Sequence, residues 1–149
     1  MATYMQGALK SGSNASEVSG ATVVAASDIG YATFAKSVTL QAATVAAVDG
    51  TIKLPVGAQI VGLYIDTTVA WTATGAVTFT AGTASAGTQY VTSVDLKAVT
   101  RGAPTLTAAQ LLAMNNISTN TSLICTATTA SGSNAVGTTI VTVLYIPKS

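Results

Sequence analysis

From Ala21 onward the chain alternates short apolar runs with small polar punctuation. Val, Thr, Ile and Tyr recur in stretches of strand length, and Gly, Asn, Asp and Ser interrupt them at the spacing of an all-β domain. The pattern predicts strands over 21–26, 31–41, 51–54, 58–67, 75–81, 121–129 and 138–146, with one or two more between Gln89 and Arg101. Period-two alternation in 31–41 puts Phe34, Val38 and Leu40 on one face and Thr33, Ser37, Thr39 and Gln41 on the other. That is a half-buried strand of an antiparallel sheet.

Two segments are apolar on both faces. In 58–67, Val61, Leu63 and Ile65 share one side and Ile60 and Tyr64 the other. In 138–146, Val141, Val143 and Tyr145 oppose Ile140, Leu144 and Ile146. Such strands are central, or they turn their outer face toward another subunit. Val143 and Tyr145 are the contact residues expected on the last strand.

Asp49-Gly50 reads as a hairpin turn joining 45–48 to 51–54, and Asp28 before Ile29-Gly30 as a second turn. The one predicted helix, 107–114, follows Pro104, with Thr107 and Gln110 in capping-box spacing and Asn115-Asn116 closing it. It is too short to carry the fold. Strands without a βαβ rhythm give an all-β fold class: an antiparallel β-sandwich, jelly-roll-like, over 21–149.

Residues 1–20 differ from the rest. Gly7, Gly12 and Gly20, with several Ser, leave too little apolar area for the segment to fold alone. The expectation is an extended N-terminal arm that pairs with a neighbouring chain, anchored by Tyr4, Met5 and Leu9.

Composition sharpens this picture. Charged residues make up 7% of the chain, against about 25% in ordinary soluble domains. A surface so short of charge suits being covered, which favours an oligomer. The net charge of +1 comes without a basic cluster, Lys97 and Arg101 being the nearest approach, so direct nucleic-acid binding is not expected. The longest aliphatic runs, 60–65 and 140–146, fall well short of the about 20 apolar residues of a spanning helix. Residues 1–7 lack the basic and apolar regions of a signal peptide, so synthesis in a cytoplasm is expected.

Candidate chemistry is sparse. The chain has no His, which removes the commonest general base and most zinc sites. Glu17, Asp28, Asp49, Asp66 and Asp95 are well separated, and nothing selects a glycosidase pair such as Asp66 with Asp95. Neither a phosphate-binding Gly-rich loop nor a calcium loop occurs. Cys125 stands alone in an apolar strand and reads as a small buried hydrophobe. Thr-x-Thr pairs at 72/74, 78/80, 105/107 and 126/128 lack the fixed period of an ice-binding solenoid and read as strand chemistry. The expectation is a protein that is not an enzyme, with no catalytic residue, cofactor, metal or small-molecule substrate.

The turn peptide Leu54-Pro55-Val56-Gly57-Ala58 leading into a strand at Gln59–Asp66, then Trp71, then Val77-Thr78-Phe79-Thr80-Ala81-Gly82-Thr83, resembles small structural proteins of tailed bacteriophages. The closing run 137–146 resembles the last strand of such a sandwich. Proteins of this look include capsid decoration, or cement, proteins that bind outside the shell. The resemblance implies a virion structural protein on the outer capsid surface, with itself as homotrimer and the major capsid protein as partners. It transfers no catalytic residue. A neck, tail or fibre component is the alternative within virions, and a carbohydrate-binding β-sandwich module is the alternative from another class.

Overall fold

Eight strands and one helix follow one another in a computed structural model that describes residues 32–43, 46–130 and 136–148. They are β1 (Phe34–Ala43), β2 (Ala47–Lys53), β3 (Gln59–Val69), β4 (Val77–Gly82), β5 (Val91–Asp95), β6 (Thr100–Gly102), α1 (Ala108–Asn115), β7 (Ser122–Thr129) and β8 (Val136–Ile146). The expected arm over 1–20, the strand over 21–26 and the turn at Asp28 lie outside the described residues.

The strands form two four-stranded antiparallel sheets, ordered β1-β8-β3-β6 and β2-β7-β4-β5. Within this order β1 pairs with β8, β2 with β7, β3 with β6 and β4 with β5. A single long hairpin wrapped around a barrel axis produces that nesting, and it defines an eight-stranded jelly roll. The sandwich expected from the strand spacing is therefore the observed one.

The core lies between the sheets. Leu40, Leu63, Ile65, Val77, Phe79, Leu123, Val141 and Val143 are all buried there. Burying a side chain such as Phe79, which is fully enclosed, contributes about 1.5–3 kcal/mol. Cys125 sits in the same layer, and burial pushes its thiol pKa from 9.0 up to about 12. At one end Trp71 is buried with its indole Nε1 donating to Thr139 Oγ1 at 2.9 Å. The Thr139 hydroxyl also bonds that of buried Thr67, at 3.2 Å. The indole lies over Gly137, where any Cβ would overlap the ring.

Three local readings meet their structures directly. Pro55-Val56-Gly57-Ala58 closes a turn, with Ala58 N donating to Pro55 O at 3.2 Å and Gly57 at φ 71°. Only glycine takes that third position without strain. Helix α1 carries the full capping box: Gln110 N donates to Thr107 Oγ1 at 3.3 Å, and Thr107 N to Gln110 Oε1 at 2.9 Å. Strands β5 and β6 fill the interval expected between Gln89 and Arg101, β6 running one residue beyond it.

Two expectations are corrected. Asp49-Gly50 is not a hairpin turn, because β2 runs straight through it, opposite Thr126 and Cys125 of β7. Gly50 faces the core, where a Cβ would stand 2.7 Å from the side chains of Val38 and Leu40. The glycine allows β1 to approach β2 across the sandwich. In β3, a bulge between Ile60 and Gly62 shifts the alternation by one residue. Ile60 joins Leu63 and Ile65 in the core, while Val61 turns outward, 46% exposed.

Candidate functional site

Inward and outward positions alternate along β8. Val141, Val143 and Tyr145 are buried, so the expected interface residues Val143 and Tyr145 belong to the core. Tyr145 packs its ring 5.8 Å from that of Phe34 and lies under Lys36 Nζ. A contact through this strand falls instead to the outward row of Ile140, Thr142, Leu144 and Ile146, all partly exposed. Tyr4, Met5 and Leu9, the expected arm anchors, lie outside the described residues.

The two sheets present different outer surfaces. On the β2-β7-β4-β5 sheet, Thr78 pairs with Thr128 and Thr80 with Thr126, so two of the Thr-x-Thr pairs stand side by side. The Thr126 hydroxyl is already engaged, donating to Asp49 Oδ1 at 2.6 Å and accepting from Ala86 N at 2.9 Å. These bonds fasten the loop between β4 and β5 over the sheet. Across the same pair Thr80 Oγ1 is buried without a hydrogen-bond partner among the described residues, so this position offers no exposed rank of hydroxyls.

The β1-β8-β3-β6 sheet carries two distinct outward features. The first is apolar. Helix α1 lies beside the start of β3, and Val61, Leu111 and Leu112 line the groove between them, 46%, 56% and 75% exposed. A two-turn helix with adjacent leucines can bury only part of that pair. Gln110 and Met114 take the inward positions instead, Gln110 bonding Thr92 Oγ1 at 2.6 Å.

The second feature is mixed. Tyr64, 45% exposed, faces outward opposite Thr142, whose hydroxyl bonds that of Ser37 at 2.9 Å. One row further along β3, Asp66 pairs across the strands with Arg101, Nε to Oδ2 at 3.8 Å. Tyr64, Asp66, Arg101, Ile140, Thr142 and Leu144 together line an open groove of about 540 Å³. Asp95, the other carboxylate weighed with Asp66, stands on the opposite sheet in β5. Among the described residues no group of three His, Cys, Asp or Glu comes together, and no helix is long and apolar enough to cross a membrane.

Sequence reasoning did not single out either feature. The adjacent leucines of a short helix were the available signal for the first. The second depends on pairing between β3 and β6, which residue spacing alone does not reveal.

No family model matches the chain, and no curated protein matches it. Among solved structures it is similar to a chain in the capsid of Ralstonia phage GP4, at 16% identity and a TM-score of 0.50, covering 81% of this chain and 86% of that one. A chain in the cyanophage Pam1 capsid asymmetric unit is similar at 18% identity and a TM-score of 0.45, covering 79% and 86%. One in the acid-stable capsid of Helicobacter pylori bacteriophage KHP30 is similar at 13% identity and a TM-score of 0.43, covering 76% and 95%. At 16% identity the likeness to the Ralstonia phage chain is one of fold, and it extends over most of both chains.

Proposed function

We propose that this chain is a virion structural protein, a decoration or cement protein on the outer capsid surface of a tailed double-stranded DNA phage. The observation that carries the reading is the α1–β3 patch. In a chain with 7% charged residues, Val61, Leu111 and Leu112 stand outward around one groove. Exposed apolar clusters of this kind mark surfaces that another protein covers. The fold shared with a chain of the Ralstonia phage GP4 capsid supports the same reading. In this proposal copies associate as a homotrimer seated on the major capsid protein. Residues 1–20 reach a neighbouring copy through Tyr4, Met5 and Leu9. Many equivalent sites on a shell multiply each weak contact into stable attachment.

The test is cosedimentation of the purified chain with shells of its own phage that lack it. The parent should saturate the shells at a fixed ratio to the major capsid protein. Leu111→Lys with Leu112→Lys should weaken binding by at least about tenfold, equivalent to about 1.4 kcal/mol, while unfolding stays unchanged. Parent chain left in the supernatant, or undiminished binding by the variant, would overturn the reading.

A further inference from the structure

The mixed groove asks for a different explanation from the apolar patch. Charge is scarce in this chain, yet Asp66 and its only arginine, Arg101, meet on one sheet face. Stability does not account for them. An ion pair at 3.8 Å whose guanidinium is 82% exposed contributes little to folding, since solvent screens it and holding two side chains costs entropy. Beside them Tyr64 stands outward, 45% exposed, opposite Thr142. Its ring leans back over Gly62, where a Cβ would stand 3.3 Å from Cε2 and 3.5 Å from Leu144 Cδ1. The glycine leaves room for the ring to rest along the sheet beside Leu144.

We propose that this groove binds a neutral saccharide, with the Tyr64 ring as stacking platform and the Asp66–Arg101 pair as the hydrogen-bonding clamp. The chemistry of the residues selects that class. One face of a pyranose is lined with C–H groups and packs on an aromatic ring, which offers an apolar body and a polar tip. Its hydroxyls both donate and accept. A carboxylate accepts from two donors, a guanidinium donates through several N–H groups, and the Thr142 hydroxyl, bonded on its other side to that of Ser37, can do either. Carboxylate and guanidinium side by side thus match two adjacent ring hydroxyls, with charge-assisted bonds on both. Their opposite charges cancel, so the groove has no net attraction for an acidic sugar. A groove of about 540 Å³ is within the range of small-molecule sites. The groove is a separate feature from the α1–β3 patch, so saccharide and shell need not compete.

The experiment uses the full purified chain on an array of clustered neutral and sialylated oligosaccharides, followed by titration of the best neutral glycan in solution. Clustering compensates for a weak single-site affinity. The expected result is binding to one or more neutral glycans. Tyr64→Ala, Asp66→Asn and Arg101→Ala should each weaken it by about tenfold or more, and Tyr64→Trp should retain it. Circular dichroism and melting identify any variant that fails to fold, and the conservative Asp66→Asn and Tyr64→Trp provide readouts that a purely structural role would not separate. Absence of binding to every array glycan and to simple hexosides at about 10 mM overturns the proposal. Loss of shell binding on Tyr64→Ala, without glycan binding by the parent, overturns it in favour of protein docking. Glycan binding fails or succeeds independently of attachment to shells, so the two readings are tested apart.

Discussion

Replacing Thr139 by Val tests whether the buried polar cluster at the end of the sandwich is a stabilising feature. The substitution keeps the shape of a side chain with no solvent exposure and removes its hydroxyl. Two buried partners then lose their bonds: the Trp71 indole N–H, at 2.9 Å, and the Thr67 hydroxyl, at 3.2 Å. Each orphaned group costs about 1–3 kcal/mol, and the Thr67 bond is the longer, so a total of about 3 kcal/mol is expected. Trp71 is the only tryptophan, which makes its fluorescence a direct probe of this cluster during urea unfolding. With a urea slope of about 1.5 kcal/mol per molar, the midpoint should fall by about 2 M at fixed protein concentration. Thr67→Val added to Thr139→Val removes one of the two orphans, so the double variant should recover about 1 kcal/mol relative to Thr139→Val alone. A Thr139→Val variant within about 0.5 kcal/mol of the parent would refute the reasoning, as would a double variant that is less stable than the single.

Other expectations can be measured in the same way. Gly50→Ala should destabilise by about 1–3 kcal/mol in urea, because its Cβ meets Val38 and Leu40 at 2.7 Å; a neutral result would mean the sheets part freely at that corner. Cys125 links stability to alkaline pH: its folded pKa of about 12 lies above the unfolded value of 9.0, so the unfolded thiol ionises first. The associated stabilisation is complete below pH 9 and is lost as pH rises toward 12, at a limiting slope of about 1.4 kcal/mol per pH unit. Cys125→Ala should remove that slope, and a parent-minus-variant difference independent of pH between 9 and 11 would contradict the burial argument. Ala86→Gly should stabilise by up to about 1 kcal/mol, because Ala86 holds φ 54° in the loop that Thr126 fastens; a loss of stability would show that the position is not strained.

The jelly roll was legible because period-two alternation and turn chemistry recur through most of the chain. The Pro55–Ala58 turn and the Thr107–Gln110 cap were legible from local rules that need no tertiary partner. The failures share the opposite property. Asp49-Gly50 has the residues of a hairpin, but Gly50 serves a close approach between β1 and β2 that only the folded sandwich creates. The bulge at Val61 inverts a face beside Gly62, the glycine within β3 that could have marked it, whereas strict alternation was read through the segment. Val143 and Tyr145 looked available for contact because alternation alone cannot say which apolar face is inward. Arg101 was read beside Lys97, close in sequence, whereas the fold pairs it with Asp66 on the adjacent strand β3.

The nesting of β1 with β8 also bears on how the protein is made. Among the described residues β1's only neighbour in its sheet is β8, with Phe34 opposite Tyr145. When β1 through β7 have left the ribosome, the sheet that holds β1 and β3 still lacks the strand between those two. Completion of the domain must wait until β8 emerges, and closing so distant a pairing is slow compared with local hairpins. During that interval the inner faces of β1 and β3 are open to other nascent chains. Synthesis rate and chaperone supply, beside the stability of the finished sandwich, then bear on how many copies complete it.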